Sequence, residues 1–210
     1  MNKTITTVLV ALIATFVMTG CGAMKMGKIY TFDFSSETQD AYLGMMSKLS
    51  ESGDPAQAMM LEWEITDPEL TEEDIFDDMK ELAGEYNMRY VGEKNMFRLT
   101  EAENPTAEKV VHARIAEFCS LSIAKKMLNH SRYYGGFMPC RVIYVEYGNG
   151  RRFLVSMDMT LAIYGGTDKK PINKVLMEDM LNVKKAMEEI PAIAAGYDVE
   201  DEEDAEADED

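Results

Sequence analysis

The chain has 210 residues, 38 of them acidic and 21 basic, for a formal charge of −17, with three cysteines and 18 methionines. The length suits one domain with a usable core. The charge argues against nucleic acid as a partner, because no basic stripe offsets the phosphates.

The first predicted segment serves export. Met1-Asn2-Lys3 is a short positive start, and the apolar stretch that follows, residues 7–18, falls short of the roughly 20 residues a bilayer span needs. Met18-Thr19-Gly20-Cys21 resembles a bacterial lipobox. That resemblance implies a signal peptide over 1–20, cleavage before Cys21, and lipidation of Cys21 by a diacyl group, with acylation of the new N-terminus. Gly22 stands where an inner-membrane retention signal would be Asp, which favours the outer membrane, facing the periplasm. Two or three acyl chains hold a protein stably where one does not. The expected layout is a lipidated tether over 21–37, one domain over 38–197 and an acidic, disordered tail over 198–210. That tail carries ten of the acidic residues, and so dense a block of like charge repels itself.

Residues 30–34 alternate weakly, as a strand would. From Thr38 a helical pattern sets Tyr42, Met45, Met46 and Leu49 on one face, and Gly53-Asp54-Pro55 ends it. In 58–65 the residues Leu61, Trp63 and Ile65 alternate with Met60, Glu62 and Glu64, the pattern of a strand with one buried face. Thr71 with Asp74 reads as a capping box that opens a helix to about residue 85, with Ile75, Met79 and Leu82 buried. Residues 88–91 and 110–119 read as strands, with a loop at Asn104-Pro105 between them. A helix over 120–130 follows and is broken by Gly135-Gly136 and Pro139.

Residues 141–147 and 152–158 are strand-like around Gly148-Asn149-Gly150. Asn-Gly as a two-residue turn is a strong hairpin signal. With Asn149 and Gly150 as the turn, paired numbers sum to 299. Cys140 then faces Met159, Val142 faces Met157, Tyr144 faces Val155, and Arg141 lies opposite Asp158 as a cross-strand charge pair. Gly165-Gly166 marks a loop, and Pro171 suits a helix start. Val175, Leu176, Met180, Val183 and Met187 give a long amphipathic helix. The element order is β-α-β-β-α-β-β-α. The fold class is α+β, an antiparallel sheet with helices packed on one face.

With Cys21 committed to lipid, Cys119 and Cys140 remain, in a compartment that permits disulfides. One ends a strand and the other begins one, so the two are expected close together at one end of the sheet, on its helix-covered face. A disulfide, two inert buried thiols, or a functional thiol pair all fit that placement. A soft-metal version uses Cys119, Cys140 and Met159, with Met138 or Met157 nearby, a donor set suited to Cu(I). His112, seven residues before Cys119, belongs to the opposite face of a regular strand. His130 ends the intervening helix, where a histidine more often answers the helix dipole. Neither Ser131 nor Ser156 has a triad evident in the sequence. Tyr133, Tyr134 and Phe137 beside Gly135-Gly136 read as a plug for the sheet end, or as the lining of a pocket or interface. Cys-x-x-Cys, His-Glu-x-x-His and phosphate-loop motifs do not occur.

Phe118-Cys119, Met138-Pro139-Cys140-Arg141, residues 159–166 (MTLAIYGG) and Ala194-Ala195-Gly196, together with Val91-Gly92-Glu93, resemble the domain of unknown function 302 family over residues 59–196. The resemblance implies a compact α+β domain, often dimeric, with no assigned activity. The sequence departs from the family pattern after Cys119, where Ser120-Leu121 stands in place of Asn-Pro. The leading functional expectation is a membrane-tethered, non-enzymatic binding or accessory protein. The alternatives are a periplasmic redox or Cu(I)-handling protein using Cys119 and Cys140, and a structural dimer in an envelope assembly.

Overall fold

The computed structural model describes residues 34–99, 106–166 and 170–199. In chain order the helices are α1 (Ser36–Ser52), α2 (Glu72–Glu85), α3 (Leu121–His130), α4 (Thr160–Tyr164) and α5 (Lys174–Ala194). The strands are β1 (Met60–Ile65), β2 (Arg89–Arg98), β3 (Val110–Cys119), β4 (Cys140–Tyr147) and β5 (Arg152–Met157). The fold is α+β, and the five strands of the described residues form one sheet, ordered β1-β5-β4-β3-β2, with every neighbouring pair antiparallel. The strand expected over 30–34 lies outside the described residues, except for Phe34, which is not in a strand. The loop at 104–105 lies outside them too.

Local chemistry sets most of the boundaries. Ser35 caps α1 through Thr38 N–H, and Gly53 ends that helix in the left-handed conformation. Thr38 and Ala41 form the buried face of α1, while Met46 is exposed, so the apolar stripe runs one step away from the expected Met46. Thr71 and Asp74 make the expected capping box on α2, which buries Ile75, Phe76, Met79 and Ala83. α5 starts at Lys174 rather than at Pro171. Asn173 caps it by accepting from Leu176 N–H at 3.0 Å, and Val175 faces solvent instead of joining the buried stripe. The short helix α4 had no counterpart in the sequence reading. Asp158 starts it by accepting from Thr160 N–H at 2.9 Å.

β2 is longer than the expected 88–91. Its register against β3 shifts twice, between Tyr90 and Gly92 and between Asn95 and Phe97. Each shift breaks the period-2 pattern that marks a strand in sequence.

The β4–β5 hairpin forms, but its paired numbers sum to 298: Val142 faces Ser156, Tyr144 faces Leu154 and Glu146 faces Arg152. Tyr147 N–H bonds Arg151 O, Gly150 N–H bonds Tyr147 O, and Gly150 has φ +82°. This is a three-residue loop with a left-handed glycine closing it, so Asn149-Gly150 are its last two residues and not a two-residue turn. The one-residue slip sends Val155 and Met157 to the face opposite Val142 and Tyr144. It also removes the Arg141–Asp158 pair; Asp158 instead pairs with Lys48 of α1 at 2.8 Å.

The helix-covered face carries Leu154, Val142, Tyr144, Ala116 and Phe118 beneath Met180, Met187 and Ile190 of α5. On β3 the covered side is therefore the one with His112, Arg114, Ala116 and Phe118. The expectation that both cysteines lie on the helix-covered face is corrected: Cys119 alternates to the side of Ala113 and Ile115, and the covered side carries a core-facing Arg114 and His112, paired with acidic groups from α2, in place of apolar residues. On the other face Ile115, Ile143, Val145 and Val155 are half-buried.

Candidate functional site

Cys140 opens β4 directly opposite Phe118. Cys119 lies one residue further on, past the last β3–β4 pair, where the chain turns into α3. The two cysteines thus lie at the same end of the sheet, as expected, but diagonally rather than face to face. Both are free thiols. Burial raises the pKa of each, and for Cys140, with Cys119 close by, the value reaches about 11.

Both cysteines line one small cavity of about 20 Å³ beneath α3. Four methionines share its wall: Met88 before β2, Met127 of α3, Met138 before β4, and Met159 at the start of α4. The structure therefore brings together Cys119, Cys140, Met138 and Met159 of the expected set and leaves Met157 out. It adds Met88 and Met127, which periodicity marks only as apolar. Among the described residues no group of three or more His, Cys, Asp or Glu is placed to hold a metal ion. His130 is not part of the cavity lining; its ring lies 6.2 Å from that of Tyr134.

Two larger apolar cavities adjoin this end. One, of about 240 Å³, is lined by Met60, Phe137, Ile143, Val155, Met157 and Met159, among others. Its wall draws on the half-buried sheet face and on Ala162 and Met187 of the helical layer. The second, of about 350 Å³, lies against α1 and shares Phe137, Met157 and Ala162 with the first. Phe137 also borders the sulfur-lined cavity, so it partitions all three. Of the aromatic cluster read from sequence, Phe137 thus lines cavities, Tyr134 anchors the turn by donating to Ala162 O at 3.1 Å, and Tyr133 is exposed. Ser156 is buried on the covered face and borders the first cavity.

A polar network at the opposite end ties α2 to β2 and β3. His112 is buried, with Nδ1 2.8 Å from Phe97 O and Nε2 2.9 Å from Glu72 Oε1. Arg114 donates to Glu72 at 3.1 Å, Glu73 at 3.2 Å and Glu93 at 2.9 Å, and its guanidinium lies 3.9 Å from the Phe76 ring centre. Burial pushes the Glu72 carboxyl up, but hydrogen bonds from His112 and Arg114 outweigh it and hold the group below the ordinary carboxylate value. Sequence reading missed this network because Glu72 lies 40 residues from His112. The available signal was a histidine and an arginine two apart on one side of a core strand.

Residues 66–190 match the family described as domain of unknown function DUF302, and the chain belongs to that family. No curated protein matches it. Among solved structures it is similar to an uncharacterized conserved DUF302 protein from Bacillus stearothermophilus. That match has 15% identity and a TM-score of 0.44, and covers 63% of this chain and 95% of the other. No helix of the described residues is long and apolar enough to cross a membrane.

Proposed function

We propose that this is a lipid-tethered, non-enzymatic binding protein of the bacterial envelope, held at the outer membrane through Cys21 and facing the periplasm. One observation carries the binding reading: the cavity of about 240 Å³ at the sheet end has a wall dominated by Met60, Phe137, Ile143, Val155, Met157 and Met159. Such a wall takes a small apolar group, and methionine adapts to more than one shape. The anchoring part rests on the Met18–Cys21 motif alone. The test is fluorescence titration with N-phenyl-1-naphthylamine. Saturable binding that Ala162→Phe abolishes by filling the cavity supports the reading; absence of binding to the wild type overturns it.

A second reading, redox or Cu(I) handling through Cys119 and Cys140, is favoured by the two thiols sharing one cavity. The homodimer implied by the family resemblance would use the half-buried sheet face around Ile115, Ile143, Val145 and Val155. Sedimentation of the detergent-solubilised protein and of an Ile143→Lys variant tests it; a wild-type monomer overturns it.

A further inference from the structure

We infer that the small cavity between β4 and α3 is a Cu(I) site, with Cys119 and Cys140 as its thiolate ligands and methionine thioethers completing the coordination.

The sulfur content of the cavity wall is the first observation. Six of its eleven lining residues are Cys or Met: Cys119, Cys140, Met88, Met127, Met138 and Met159. The chain as a whole has 21 such residues in 210, so a random wall of this size would hold about one. Methionine is also a common core filler among the described residues, six of the 27 buried apolar side chains, and so accounts for two or three; it does not account for convergence on the two cysteines.

The placement is the second observation. The six residues come from five separate places in the chain: the residue before β2, the β3–α3 junction, α3 itself, the entry to β4, and the entry to α4. Met88, Met127 and Met159 are 5%, 4% and 6% exposed, while Cys119 and Cys140 are only half-buried. Met138 is half-buried like the cysteines, so these three form the more accessible part of the wall and Met88, Met127 and Met159 its buried part. A cavity of about 20 Å³ admits a single ion but little else.

The donor chemistry is the third. Thiolate and thioether are soft ligands and select Cu(I) over hard or borderline ions. Binding by both cysteines displaces two thiol protons, leaving a bis-thiolate Cu(I) centre of charge −1, and no change of oxidation state is involved. The inference deepens the Cu(I)-handling reading and rests on it for the role; the apolar pocket is a neighbouring cavity that shares Phe137, Cys140 and Met159 with this one.

The test uses the full-length protein, solubilised in detergent, reduced and kept anaerobic, in competition with bicinchoninate for Cu(I). The expected result is one Cu(I) per chain. Cys119→Ser and Cys140→Ser should each weaken binding by 100-fold or more. Met127→Leu keeps the buried volume and hence the fold, and should weaken binding about tenfold. X-ray absorption at the copper edge should show sulfur neighbours only. Failure to compete with bicinchoninate, or binding unchanged in both cysteine variants, overturns the site. Nitrogen or oxygen neighbours at the copper edge do the same. The naphthylamine titration run in parallel separates the two claims. Probe binding without Cu(I) uptake sinks the metal site and leaves the binding reading; Cu(I) uptake without probe binding supports the site and overturns the apolar-ligand reading.

Discussion

Replacing Glu72 with Gln should cost the domain about 2–4 kcal/mol at pH 7. The Glu72 carboxylate takes three partners: His112 at 2.9 Å, Arg114 at 3.1 Å and Arg98 at 2.6 Å. Arg98 is 60% exposed, so its pair contributes about 0–1 kcal/mol. The other two are different, because the His112 side chain is 2% exposed and that of Arg114 is 8%. Both bond Oε1, so an amide oxygen there can still accept from them, but the amide carries no charge to pair with the Arg114 cation and turns its NH2 toward Arg98. Breaking a buried ion pair from one side costs about 3–5 kcal/mol, and an amide that keeps the hydrogen bonds loses less than that. Arg114 keeps Glu73 and Glu93, which places the total toward the lower end. For a domain of this size that is a fall in Tm of roughly 4–16 °C.

Urea unfolding followed by Trp63 fluorescence gives the free energy directly. The sign with pH follows from the depressed carboxyl of Glu72. A group whose folded pKa lies below its unfolded value stabilises the fold above the unfolded value. That contribution is lost as pH falls through the folded one. The wild type should therefore lose stability below about pH 4.5, and Glu72→Gln should lose less over the same window. A variant within about 0.5 kcal/mol of wild type at pH 7 would falsify the claim that this carboxylate holds α2 to the sheet.

Cys21→Ser should release the protein from membranes in a fractionation washed with high salt and alkali, and retention there would show that something other than lipid holds it. Deleting 198–210 should leave Tm within a degree or two in calorimetry, since the cut spares Tyr197, whose hydroxyl donates to Glu64 O at 3.0 Å. A clear drop at physiological salt would show that the tail docks on the domain. Gly148→Ala should destabilise by more than about 1 kcal/mol in denaturant unfolding, because the new methyl would run into the Thr106 carbonyl, whereas Gly136→Ala meets nothing and should be near neutral. Equal effects of the two would refute the close approach of Gly148 to that carbonyl.

The parts legible in the sequence were those fixed by neighbours along the chain. The Thr71–Asp74 box, the alternation of Leu61, Trp63 and Ile65, and the 3.6-residue stripe of Met180, Val183 and Met187 each need only a few consecutive residues. The hairpin was legible as a hairpin, yet its register was not, because Asn149-Gly150 fits either of two loop lengths, and one residue decides which face Val155 and Met157 take. β2 was cut short because its two register shifts erase alternation. Of the sulfur cluster, Cys119 and Cys140 stood out by their rarity and Met138 and Met159 by their closeness to Cys140. Met88 and Met127 were invisible, since a methionine that faces a cavity and one that fills a core share the same periodicity.

The strand order also governs how the chain assembles. β4 and β5 join residues such as Val142 and Ser156 across a short turn. β1 instead docks on β5 by pairing Met60 with Met157 and Trp63 with Leu154, after most of the domain has been made. Loop-closure entropy rises by about 0.6 kcal/mol with each doubling of the loop, so the hairpin forms early and β1 arrives late. Until it does, β5 is a bare edge carrying Phe153, Leu154 and Val155, open to pairing with any passing strand. The polypeptide is therefore most exposed to aggregation in the interval before β1 covers β5, and Trp63, the sole tryptophan, sits on β1 and reports the moment of docking.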